Sequence, residues 1–117
     1  MAKQKGHLQL DSKGYKLTLD IVTYNEEGQV IAYSPALELS GVGHTDQEAI
    51  KDLLKVVTIT FDYARTKGTF EVMLFDLGWR KLSEKAIEAP TFSDDELTKR
   101  LNVPFVRRYD RQLAISA

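Results

Sequence analysis

Residues 15–24 place Leu17, Leu19 and Ile21 in alternation with Lys16, Thr18 and Asp20, the two-residue period of a half-buried strand. The polar connection Asn25-Glu26-Glu27-Gly28 leads into an apolar, β-branched run over 29–33, which predicts a hairpin. Ser34-Pro35 marks a bend, because proline cannot donate to a ladder. A third extended piece covers 37–42, with Gly41 and Gly43 read as turn residues that close it. Three antiparallel strands in a meander are the simplest assembly. Thr45-Asp46-Gln47-Glu48 then has the spacing of a capping box and opens a helix. Ile50, Leu53, Leu54, Val57, Phe61 and Ala64 follow at three- and four-residue steps, with Lys51, Asp52, Lys55, Asp62 and Arg65 opposite them. That apolar stripe is expected to cover one face of the sheet. The run 56–60 is rich in β-branched residues, which costs a few tenths of a kcal/mol per position, but the cap and the periodicity outweigh it. Gly68 is positioned to stop the helix in the left-handed conformation.

Residues 69–77 fit a buried strand or a short helix; Leu77-Gly78-Trp79, with glycine just past a helix end, favours the helix. Trp79-Arg80-Lys81-Leu82 and Lys85-Ala86-Ile87 form a small hairpin around Ser83-Glu84, which either extends the sheet or stands apart. A second capping box, Ser93-Asp94-Asp95-Glu96, opens a helix of about two turns that ends at Asn102, before Pro104. Residues 105–115 return to strand character. Phe105, Arg107, Tyr109, Arg111, Leu113 and Ile115 share one face, and Val106, Arg108, Asp110, Gln112 and Ala114 the other.

The expected fold is therefore α+β: an antiparallel sheet of three to four strands covered by one long helix, with a small carboxy-terminal helix-strand extension. All 117 residues are expected to form a single domain, divided into a core at 15–78 and, at 79–117, the hairpin, short helix and terminal basic strand. With 43% apolar residues and no apolar run near the ~20 residues that cross a bilayer, neither a disordered nor a membrane chain is expected. No apolar segment follows the amino terminus as in a signal peptide, so a cytoplasmic protein is expected.

Zero cysteines exclude disulfides, thiolate metal sites and cysteine nucleophiles. The two histidines, His7 and His44, lack a second ligand at helical spacing, so no metal is expected. His44, Asp46 and Ser34 suggest a triad, but an acidic residue in a first helical turn is explained by the helix dipole alone. Gly41-Val42-Gly43 has neither the third glycine of a dinucleotide fingerprint nor the lysine of a P-loop. No catalytic residue, cofactor or enzymatic activity is expected.

The net charge of −1 conceals an asymmetry. Residues 1–78 carry eight basic and eleven acidic side chains, net −3, whereas 79–117 carry eight and six, net +2. Lys99, Arg100, Arg107, Arg108 and Arg111 lie in one stretch with only Asp110 against them. Arg107, Arg108, Tyr109 and Arg111 are thus candidates for nucleic-acid binding, since guanidinium groups beside an aromatic ring can hold phosphates and stack bases. Two other readings are that the arginines solvate a half-exposed strand or protect an edge, and that the strand pairs with a second chain.

The run Val30-Ile31-Ala32-Tyr33-Ser34-Pro35-Ala36-Leu37-Glu38-Leu39, followed by Gly43-His44-Thr45-Asp46-Gln47-Glu48-Ala49, resembles HicB-like antitoxins. Tyr33, Pro35, Leu37, Gly43, Thr45, Glu48 and Ala49 fill that family's motif positions, and the likeness covers 15–67, with 67–69 and 77–79 similar to a longer HicB-like subgroup. The resemblance implies a β-β-β-α-β arrangement, a partial, catalytically inactive RNase H-like fold. It also implies a partner, a small basic HicA-like toxin that the protein binds and occludes, and homo-oligomers. Many members bind operator DNA through a carboxy-terminal helix-turn-helix or ribbon-helix-helix. Here 93–115 departs from that pattern, offering one short helix and then a strand.

Overall fold

The computed structural model describes residues 6–11 and 14–116. In chain order the elements are β1 (His7–Asp11), β2 (Gly14–Glu26), β3 (Gln29–Ser34), β4 (Leu39–Gly43), α1 (Asp46–Lys67), α2 (Phe70–Asp76), β5 (Arg80–Ser83), β6 (Ala86–Glu88), α3 (Asp94–Leu101) and β7 (Arg107–Ser116). The fold is α+β, with an antiparallel sheet of seven described strands and α1 as its one long helix. No helix among the described residues is long and apolar enough to cross a membrane.

The sheet is organised around β2. Along one edge, its residues 14–23 pair with the whole of β7. A strand has only two edges, so β1, paired with 14–18, and β3, paired with 22–26, must share the other. β4 adds outside β3, while β6 and then β5 add outside β1. The sheet is thus larger than the three to four strands expected, for two reasons. β1 forms within a stretch that reads as polar, because Leu8 alone is buried there and its neighbours His7 and Gln9 face the other way. The β5–β6 hairpin, in turn, joins the sheet through β1. The carboxy-terminal strand is no small extension either, for its ten residues form the longest pairing of the sheet.

Two connections are tighter than the sequence suggests. The β2–β3 hairpin turns on Glu27 and Gly28 alone, both at positive φ (49° and 79°), the type I′ geometry whose twist matches that of paired strands. Residues 35–38 form the next turn, in which the Ser34 carbonyl accepts from the Leu37 and Glu38 amides at 3.3 and 2.8 Å. Leu37 and Glu38 therefore precede β4 instead of belonging to it. The Trp79 indole N–H donates to the Ala36 carbonyl at 2.8 Å and ties the chain after α2 to this turn.

α1 begins where its cap predicts. Thr45 Oγ1 accepts from the Glu48 amide at 3.1 Å, while the Glu48 carboxylate reaches back to the amide of His44, one residue earlier than in a standard capping box. Within its β-branched stretch Thr58 and Thr60 donate to the Leu54 and Val56 carbonyls, and the buried Val57 packs toward the sheet, which outweighs the weak propensity. At the end, Gly68 adopts φ 71° and the Thr69 amide reaches the Ala64 carbonyl at 2.9 Å, a Schellman closure. Ala49, Ile50, Leu53, Val57, Phe61 and Ala64 are buried against Leu17, Leu19, Ile21 and Ala32. The helical reading of 69–77 holds: α2 continues this layer, stacking Phe70 on Tyr15 and Phe61 at ring separations of 4.9 and 5.4 Å.

Candidate binding surfaces

The four basic-strand residues are positioned by β7 pairing with β2, which alternates their side chains between the two sides of the sheet. Arg107, Tyr109 and Arg111 face α1. Arg107 grips Asp46, the first residue of that helix, in a bidentate pair, with Nε to Oδ2 at 2.8 Å and Nη2 to Oδ1 at 2.7 Å. Its Nη2 also donates to Asn25 Oδ1 at 3.0 Å. Tyr109 donates its hydroxyl to Asp46 Oδ2, and Thr23 Oγ1 donates to the same oxygen at 3.0 Å. Arg107, then Tyr109 and Thr23, hold the Asp46 carboxyl well below the usual carboxylate range, against an opposing effect of burial. Reciprocally, the bond to Asp46 raises the pKa of both Arg107 and Tyr109.

Arg108 points to the opposite side. There it pairs with Asp20 of β2, donates to the Phe92 carbonyl at 3.0 Å, and reaches Asp94 Oδ1 of α3 at 2.7 Å. Burial alone would lower its pKa, but the bonds to Asp20 and Asp94 reverse the direction. Arg108 thereby ties α3 to the sheet face away from α1. Of the three arginines, Arg111 alone has no carboxylate partner among the described residues: it donates to the Asp110 carbonyl and to Gln47 Oε1 at 2.8 and 3.4 Å and lies 5.5 Å from the Tyr109 ring centroid. Two of the five cations in the basic stretch, Arg107 and Arg108, are thus neutralised by carboxylates distant in the sequence. Asp46, which the sequence reads as a dipole residue, binds Arg107, Tyr109 and Thr23 together; the hydrophobic alternation of 105–115 marks the strand but does not signal where it pairs.

The residues considered for catalysis are not brought together. Ser34 is fully buried, and its hydroxyl has no hydrogen-bond partner. Asp46 is engaged as above, and His44 is exposed. Among the described residues no group of three His, Asp or Glu side chains could hold a metal ion.

Six of the seven motif positions have structural roles. Pro35 and Leu37 are buried in the β3–β4 turn, Thr45 caps α1, Glu48 bonds the His44 amide, and Ala49 is fully buried. Gly43, together with Gly41, lies inside β4 where the strand meets α1, so neither is a turn residue. A Cβ on Gly41 would stand 2.3 Å from the Leu53 nitrogen, and one on Gly43 2.6 Å from the Ala49 nitrogen. Tyr33, in contrast, is half-exposed.

Two surfaces remain open. Register places Val22 opposite Tyr33, Tyr24 opposite Ile31, and Ile31 opposite Val42, so Tyr24, Ile31, Tyr33 and Val42 share the sheet side away from α1. The first three are half-buried and Val42 is 43% exposed. Burial, then Glu26 and Tyr33, raise the Tyr24 pKa, and Glu26, two residues along β2 from Tyr24, falls on the same side of the sheet. The second surface is a groove of about 730 Å³ between α1 and β7.

Comparisons with known proteins return nothing: no family model matches the chain, and no curated protein or solved structure matches it significantly.

Proposed function

We propose that this chain is a non-enzymatic protein-binding module of the HicB-like antitoxin type, which binds and occludes a small basic HicA-like toxin. The observation that carries the reading is the aromatic and aliphatic patch of Tyr24, Ile31, Tyr33 and Val42, open to solvent on a sheet face and flanked by Glu26. Interfaces favour such a centre, aromatic and apolar with charge at its margin. Two further facts support it. β2, β3 and β4 lead into α1 as the motif resemblance implies, while β1 precedes them and α2, β5, β6 and α3 intervene before β7 returns beside β2. The segment 1–78 is net −3, and although Asp20 and Asp46 are held by Arg108 and Arg107, the exposed Glu26 and Glu27 at the end of the β2–β3 hairpin leave acidic charge near the patch for a basic partner.

The test asks first whether an adjacent reading frame encodes a small basic protein, whose absence would remove the antitoxin role, and then co-expresses that protein with this chain, followed by co-purification and calorimetry. A stable complex is expected, and Val42→Lys, which sets a cation in the patch at an exposed position, should weaken it about tenfold or more. Failure to form any complex with that protein would remove the antitoxin role. A complex indifferent to Val42→Lys would move the interface off this face.

A further inference from the structure

The groove between α1 and β7 has an apolar interior and a cationic rim. Leu54 of α1 and Leu113 of β7 are half-buried in it, and Ile59 is 68% exposed at its margin. Lys51 and Lys55, one helical turn apart, and Arg111 across from them supply the charge. No carboxylate lines the groove among the described residues, and neither lysine has an ion-pair partner there. At one end the Asp46 bonds to Arg107 and Tyr109 pin α1 against β7.

The groove runs beside an open strand edge. β7 pairs with β2 only, and no other described strand takes its second edge. Arg107, Arg108, Asp110 and Arg111 charge the first half of that edge, as protected edges are charged, but Gln112 to Ile115 carry no charge. An extended segment laid along this uncharged half would take up amides and carbonyls of β7 and send every second side chain into the groove.

We infer that the α1–β7 groove receives an extended, acidic segment of a partner protein, added to β7 as an extra strand. Apolar side chains of the segment meet Leu54, Ile59 and Leu113, and carboxylates meet Lys51, Lys55 and Arg111. A second copy of the chain fits less well, since it would bring its own lysines and arginine against the same rim. The site differs in face and in charge from the patch assigned above to a basic partner, so either assignment can fail alone.

The test titrates the full chain, by fluorescence polarisation, against a labelled peptide Thr-Ile-Thr-Glu-Thr-Ile-Thr-Glu-Thr and its Lys-for-Glu counterpart. The acidic peptide should bind saturably and the basic one roughly tenfold more weakly or worse. Lys51→Glu combined with Lys55→Glu, both at exposed positions, should reverse that preference. N-methylation of alternate peptide amides should abolish binding, because it removes the ladder. Absent saturable binding of the acidic peptide, equal affinity for both peptides, or tolerance of N-methylation would overturn the inference. A dimer by light scattering that dissociates on Ile59→Glu would overturn it in favour of a second copy.

Discussion

Gly41→Ala should destabilise the protein by about 3 kcal/mol, the upper end of what overpacking a core costs. The new Cβ would stand 2.3 Å from the Leu53 nitrogen, 2.7 Å from the Ala49 carbonyl oxygen and 2.7 Å from Leu53 Cα. All three are backbone atoms of α1, so no side chain can rotate out of the way. Relief requires the helix to retreat from β4 by about 1 Å, which opens the packing of Ala49, Leu53 and Val57 along the same face and forfeits part of their dispersion contacts. Gly28→Ala provides the comparison. That turn residue has nothing within 4 Å of a Cβ and would bear only the strain of its positive φ, about 1 kcal/mol. Guanidinium unfolding of both variants checks the claim; a loss for Gly41→Ala no larger than for Gly28→Ala would show that β4 and α1 are not in such close contact.

Asp46→Asn should cost about 2 kcal/mol at neutral pH, between the value of a charge-assisted hydrogen bond and that of a fully buried pair, since the Asp46 and Arg107 side chains are 18% and 32% exposed. The effect should depend on pH in a definite direction. The folded-state pKa of Asp46 is depressed, so its stabilisation is fully present above its unfolded value, about 4, and is lost as pH falls toward the folded value. The gap in stability between wild type and Asp46→Asn should therefore narrow steadily below about pH 4. Urea unfolding at a series of pH values reads it out. A gap at pH 3 as wide as at pH 7 would mean that the carboxylate charge contributes nothing through Arg107 and Tyr109.

The elements with strong local signals were legible in the sequence. β2 shows period-two alternation and β3 an apolar, β-branched run, α1 and α3 show capping residues and terminal Gly68 and Asn102, and α2 shows the Leu77-Gly78 end. What escaped was long-range. β1 is only five residues, with one fully buried side chain that gains meaning through pairing with β2 and β6. The place of β7 depends on ladder partners some ninety positions away, which no spacing reveals, as in Asp110 with Asp20. The same holds for the site. A cluster of arginines is visible as a local charge excess, but Asp46, Asp20 and Asp94 lie in three other elements, and only the fold brings them to it. Gly41 and Gly43 read as turn residues but lie in β4 against α1, for a related reason: a glycine needed for a turn and one needed for helix-strand contact look alike until the helix is in place.

The choice of protein over nucleic acid as the ligand of this chain rests on Arg107 and Arg108 being held by carboxylates of their own chain. The most direct measurement is fluorescence anisotropy of labelled duplex DNA and single-stranded RNA titrated with the full chain at about 50 mM salt and upward. No saturable binding is expected for either. Saturable binding that weakens steeply with salt, with a shallower salt slope for Arg107→Ala or Arg108→Ala, would show that these guanidinium groups serve phosphates and would contradict the structural role assigned to them.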